Sequence, residues 1–321
     1  MKRIFWVLAI AIFAACSNDN DAIPGLTGER YIDSVFSEIN VKLNVKYGTN
    51  HSLAGIEKNL FLDVYWPEND TIDKRPTIVL AHGGAFVGGN KSDLKDLCTA
   101  YASMGYTVAS IGYNLLDDRF LSDSVRFSEG VVIALGDMKG AIRYLRDNTI
   151  NGNNDYGINP EFMFAGGISA GAILANHVGM LDIDDQAIPE YLQTHMDNNG
   201  GFEGDTNDLT VSSEVSGVIS FSGSLLRSLW IDANDPPIFM VHEELDPIVP
   251  CDYSASDRFP FPILAYGACA LQDQIAESGI KNEFVFYEGV DAHVGYFTND
   301  NKEAQKELIK ATATFLAEII N

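Results

Sequence analysis

The sequence predicts an α/β architecture: one mostly parallel sheet with helices on both faces. Three observations carry that prediction. Short apolar runs bounded by turn residues recur along the chain. Longer stretches of helical period lie between them. The later runs are continuously apolar rather than alternating, as strands buried on both faces must be.

In order, "INVKLNVKYG" (39–48) and "LFLDVYWPE" (60–68) alternate apolar with polar residues and open the domain as an antiparallel hairpin at the sheet edge. "TIVLAHGG" (77–84), "YTVASIGYN" (106–114), "FMFAGG" (162–167), "GVISFSG" (217–223), "PIFMVHEELD" (237–246) and "FVFYEG" (284–289) follow as buried strands. Helical candidates separate them: "KDLCTAYASMG" (95–105), "VVIALGDMKGAIRYLRDN" (131–148), "AGAILANHVGML" (170–181) and the closing "KEAQKELIKATATFLAEII" (302–320). In the second of these Leu135, Met138, Ile142 and Leu145 share one face, a stripe read as core packing. Two stretches fit no element: a polar insertion at 195–213, and a loop at 251–264 carrying Tyr253, Phe259 and Phe261. That aromatic loop, with Phe86, is expected to shape a pocket.

The first residues stand apart from the fold. Lys2 and Arg3 precede an apolar run from Ile4 to Ala15, a secretory signal layout too short to span a bilayer as a helix. The "FAAC" that ends it (13–16) resembles the lipobox of bacterial lipoproteins, with Phe13 where leucine is usual. The resemblance implies a signal peptide over 1–15, lipid on Cys16 and a polar tether over 16–44; the long remainder, 45–321, is expected to form one catalytic domain. It also implies attachment to the cell envelope, at the outer membrane, facing the periplasm or the exterior. Export would leave Cys98, Cys251 and Cys269 in an oxidising compartment; Cys251 and Cys269 flank one loop, and the sequence leaves their pairing open.

The domain is 46% hydrophobic over the chain, enough for one large core, with no internal repeat. A net charge of −24 and the absence of a basic stripe exclude nucleic acid as a partner. No cysteine pair has metal-ligand spacing, and neither a metal nor an organic cofactor is expected.

Chemistry concentrates at "GISAG" (167–171), where Ser169 falls between a strand and a helix. A sharp turn there lifts the hydroxyl out of the sheet edge, and glycines at 167 and 171 leave room for neighbouring backbone. The N–H of Ala170, opening the helix, and those of Gly83 and Gly84 in "HGG" (82–84) are candidate donors to a developing oxyanion. A serine needs a base and the base an orienting acid. Of six histidines, His51 precedes the parallel strands, His82 belongs to the oxyanion turn, His177 reads as a packed core residue, and His195 sits in the insertion. His242 stands four residues from the best carboxylate, which favours a structural role. His293, on the loop after the last strand, is left as base. Asp246, after the preceding strand, is the acid, with Glu243, Glu244 and Asp291 as rivals.

From about Asn59 onward the chain resembles α/β-hydrolase esterases of the hormone-sensitive-lipase and bacterial feruloyl/acetyl-esterase kind. "LDVYWP", "HGGAF", "GYTVASIGYNL", "YGINPEFMFAGGISAG" and "LDPIVP" carry the resemblance, in the family's order. It implies an α/β-hydrolase fold and carboxylic ester hydrolysis through Ser169, Asp246 and His293. It also implies an oxyanion hole from Gly83, Gly84 and Ala170, and a small or polysaccharide-linked ester as substrate. Ala85 in place of a third glycine, Asn114 in place of an arginine, and "GISAGA" depart from the common pattern and bear on the substrate subclass. A peptidase of the same fold and a non-catalytic binding lipoprotein are the competing readings; the peptidase usually adds a large domain, and no triad member is missing.

Overall fold

The computed structural model describes residues 28–117, 122–185, 188–255 and 262–321. The signal segment, Cys16, Phe259 and Phe261 lie outside them. In chain order the strands are β1 (Ile39–His51), β2 (Glu57–Pro67), β3 (Arg75–Ala81), β4 (Thr107–Ile111), β5 (Ile158–Ile168), β6 (Gly217–Phe221), β7 (Ser224–Leu225), β8 (Ile238–Glu243), β9 (Tyr253–Ala255), β10 (Leu264–Gly267) and β11 (Asn282–Tyr287). The helices are α1 (Lys95–Ser103), α2 (Ser124–Ile150), α3 (Ala170–Met180), α4 (Glu190–Asn198), α5 (Ala268–Ser278) and α6 (Lys302–Ile320).

Eight strands form one sheet in the order β1-β2-β4-β3-β5-β6-β8-β11. β1 and β2 pair antiparallel and β2 runs antiparallel to β4; the remaining neighbours are parallel. All eight were expected from the sequence, the first two from alternation at the sheet edge and the others because strands covered on both faces must be apolar at nearly every position. In β3 this is visible residue by residue: Ile78 and Leu80 pack with α1 and α6, while Val79 and Ala81 pack with α2 and α3. β11 closes one edge and pairs only with β8, and its residues are partly exposed.

The boundary expected at 44/45 falls too late. Tyr31 donates its N–H to the Met104 carbonyl (2.7 Å), Val35 donates to Ser103 (2.8 Å), and Arg30 pairs with Asp70 (2.6 Å). Residues from 28 therefore belong to the packed unit, and the described part of the expected tether is docked on the end of α1.

The two stretches expected to lack elements do contain them. Residues 190–198 form α4, whose Leu192, His195 and Met196 are buried at helical spacing against α2. The rest of the insertion is held by cations of α2: Arg143 pairs with Glu203 at 2.6 Å, and Lys139 donates to the Phe202 carbonyl at 3.0 Å. Gly140 permits the close approach, since a side chain there would strike Thr206. The second stretch contributes β9 and β10, which join β7 in a three-stranded antiparallel sheet. Cys251 and Cys269 form a disulfide that closes this segment, and Cys98 is free and buried.

Candidate active site

β5 runs into α3 through a single residue. Ser169 takes φ 55° and ψ −118°, a left-handed backbone that a side chain rarely adopts. Its N–H donates to the Phe221 carbonyl at 2.8 Å, and its own carbonyl accepts from Ile173 at 2.9 Å. The turn is possible because its flanks are bare: a Cβ at Gly167 would collide with Gly171, and one at Gly171 with the Ala81 carbonyl of β3.

His293 approaches from the loop beyond β11. Its Nε2 lies 2.8 Å from Ser169 Oγ, and its Nδ1 lies 2.6 Å from Asp246 Oδ2. Asp246 follows β8 and is 4% exposed, and its other oxygen accepts from the N–H groups of Ile248 (2.8 Å) and Val249 (3.0 Å). The tautomer consistent with this network has Nδ1–H donating to Asp246, which leaves the Nε2 lone pair for the serine proton. Three residues read from chain order thus meet in one hydrogen-bonded line.

The rival carboxylates sit elsewhere. Glu243 accepts from the Gly295 N–H (2.6 Å) and the Ser222 hydroxyl (3.0 Å), so it secures the two residues just after His293. Burial raises its pKa above the ordinary glutamate value, partly offset by those donors. Glu244 accepts from the Gly289 N–H at 2.6 Å, and Asp291 is exposed. His242 donates Nε2–H to the Val249 carbonyl (2.8 Å) and stands 3.6 Å from Asp246, bracing the acid as a structural residue. Burial lowers its pKa, which keeps it neutral beside the acid.

Gly83 lies against Ser169, close enough that an added Cβ would be 3.3 Å from Ser169 Cβ. Gly84, at φ 117°, accepts from Val87 and Gly88, both at 3.0 Å, and so folds the loop back. His82 bridges to the Gly83 carbonyl through Nδ1 (2.7 Å) and stacks on Tyr113, whose hydroxyl donates to the His82 carbonyl (2.8 Å). The N–H groups of Gly83 and Gly84 donate to no protein group among the described residues. Ala170 is the first residue of α3, where N–H groups have no helical acceptor.

A cavity of about 560 Å³ opens beside Ser169, walled by α2, α3, α4 and the small sheet. Phe86, Phe127, Leu135, Leu174 and Met196 make it predominantly apolar. Phe86 and Tyr253 line it as the sequence suggested. His177 does not behave as a packed core residue: it lines the cavity, donates Nδ1–H to the Ile173 carbonyl (2.8 Å), and is held down to about 4 by burial. Sequence reasoning missed the contribution of α4, although Leu192 and Met196 at i, i+4 were its available signal. Among the described residues no group of three or more acidic, histidine or cysteine side chains is arranged to hold a metal.

A family model, BD-FAE, matches residues 62–225, a stretch that includes Gly83, Gly84 and Ser169 and stops before Asp246 and His293. Among solved structures the chain is similar to propionate-bound esterase 2 of Thermogutta terrifontis, at a TM-score of 0.63 and 22% identity over 87% of this chain and 94% of that one. The same esterase phosphorylated by paraoxon aligns at a TM-score of 0.63 and 22% identity, covering 88% and 95%. Esterase-5A of Drosophila persimilis is 28% identical over 143 residues, 43% of this chain. That match spans only 24% of the insect esterase's length.

Proposed function

The chain belongs to the BD-FAE family of esterase/lipase-like α/β-hydrolases, and on that premise we propose that it cleaves carboxylic esters through an acyl-enzyme on Ser169. One observation carries the proposal: the unbroken line from Ser169 Oγ to His293 (2.8 Å) and from His293 to the buried Asp246 (2.6 Å). Ser169 attacks the ester carbonyl as His293 Nε2 takes its proton. The carbonyl oxygen becomes an oxyanion, for which Gly83, Gly84 and Ala170 are the proposed N–H donors. Collapse breaks the bond to the alcohol, which leaves with the proton from His293. Water, deprotonated by the same base, then attacks the acyl-enzyme, and the acid is released. Asp246 stays ionised throughout and holds the ring in the required tautomer.

The apolar cavity beside the serine supports a small-molecule ester as substrate, since it offers contact area but few polar groups for a long hydrophilic chain. The neighbour phosphorylated by paraoxon supports a nucleophile that organophosphorus esters trap. Treating the protein with paraoxon and mapping the adduct by peptide mass spectrometry tests the assignment. A diethylphosphoryl group on Ser169 is expected, together with a Ser169→Ala variant that folds normally and loses several powers of ten in kcat. An adduct on another residue, or full turnover in the variant, would refute the role.

A further inference from the structure

One cation of the cavity has no part in the chemistry proposed above. Arg227 follows β7, precedes a short 3-10 turn (Ser228–Trp230), and lines the same cavity as Ser169 and His177. It is half-buried, and its side chain makes no hydrogen bond or ion pair among the described residues. Other shielded cations have a partner. Arg75 pairs with Asp70 (2.7 Å), Lys91 with Asp63 (2.7 Å) and Arg143 with Glu203 (2.6 Å), while Arg146 donates to the Glu214 carbonyl (2.7 Å). With 45 acidic residues against 21 basic, a carboxylate for Arg227 is not scarce in the sequence; among the described residues none pairs with it.

A guanidinium held at an apolar wall without a partner is poorly solvated by the protein, and it gains most from an anion that arrives with the ligand. His177 adds no second positive charge, because burial keeps it neutral down to about pH 4. Among the described residues the wall therefore presents a single planar fork of donors, which matches one carboxylate in two parallel hydrogen bonds. The acidic excess on the surface opposes an anionic ligand only weakly, because ions screen exposed charges beyond about 8 Å at physiological strength, whereas contact at an apolar wall is screened far less.

We propose that Arg227 is a specificity-determining residue that pairs with an ionised carboxylate on the substrate, so that the preferred esters are half-esters of dicarboxylic acids or esters of hydroxy acids. The inference rests on the ester-hydrolase reading. It deepens that reading by requiring a second charge at one end of the ester.

Two matched pairs separate the ends. Monoethyl adipate against ethyl hexanoate puts the carboxylate on the acyl side; 4-acetoxybutyrate against butyl acetate puts it on the alcohol side. Hydrolysis is followed by pH-stat for the full-length wild type, Arg227→Gln and Arg227→Lys. In one pair the wild type should favour the anionic member by about tenfold in kcat/KM. Arg227→Gln should abolish that ratio, chiefly through KM, and Arg227→Lys should restore part of it. The pair that responds identifies the side. A ratio near one in both pairs, or a ratio that Arg227→Gln leaves intact, overturns the proposal. Failure of the wild type on the neutral esters and failure to form a paraoxon adduct would instead overturn the ester-hydrolase reading itself.

Discussion

At Ser169 the backbone is held where a side chain costs about 1 to 3 kcal/mol, and packing on both sides keeps it there. The glycines at 167 and 171 were legible as necessities of that turn, and so was the chain order of the proposed serine, acid and base. The choice among carboxylates was less legible, because Glu243, Glu244 and Asp246 fall within four residues and differ only in where β8 ends. The structure distinguishes them by partner: Asp246 faces the imidazole, Glu243 the loop N–H groups, and Glu244 the turn at Gly289. Asp246→Asn should therefore lower kcat by about 10⁴-fold, as losing the orienting carboxylate does in serine proteases. Glu244→Gln should stay within about threefold of wild type, because its amide oxygen still accepts from Gly289. Steady-state kinetics on one ester decides it, and the reverse ranking would move the acid to Glu244. The cavity role of His177 was not legible, since a histidine two turns into an apolar helix reads the same whether its ring meets core or an open space.

Among elements, the eight sheet strands were legible because each is a run of at least five residues, alternating in the first two and apolar in the others, with turn residues nearby. The small sheet was not. β7, β9 and β10 have two to four residues, too few for a period, and they exist because Cys251, Gly267 and the β7 edge meet in space. Gly267 admits no side chain, since a Cβ would strike the Pro250 carbonyl. α4 was masked by its polar face and by Asn199 and Gly200, which end it within three turns. The disulfide spans 18 residues, and in the chain-entropy view closing a loop of that size is worth about 3 kcal/mol. The segment it closes lines the cavity through Tyr253, Ile263 and Leu264. Reduction by dithiothreitol should therefore raise KM for esters more than it lowers kcat, and lower the thermal midpoint. Unchanged KM with a lowered midpoint would mean that the segment holds the fold but not the ligand.

Across the whole molecule the excess of acid is not evenly tolerated. Asp182, Asp185, Asp232 and Asp235 lie on two adjoining loops, and burial followed by repulsion from Asp182 and Asp232 pushes the Asp235 carboxyl up to about 7. Its folded pKa therefore stands above the unfolded one. The native state keeps a proton that the unfolded chain has released, so this residue's contribution to stability falls as pH rises from about 4 to 7 and stays low above that. Asp235→Asn retains the acceptor for the Asp232 N–H (2.8 Å) and removes the charge. The variant should exceed wild type in unfolding free energy by on the order of 2 kcal/mol at pH 8 and by almost nothing at pH 4. Urea titrations at the two pH values measure the difference, and an advantage that did not depend on pH would argue against the charge as its cause.

The proposed nucleophile, acid and base do not share equally in the protection of the sheet. Ser169 leaves β5, which has neighbours on both sides, and Asp246 leaves β8, also enclosed; His293 hangs from the loop after β11, which is attached along one side only. A fluctuation that peels this outermost strand from β8 carries the imidazole away while seven strands remain paired. The molecule can thus fall silent long before it falls apart, and the lifetime of the working state is set at the rim rather than in the centre.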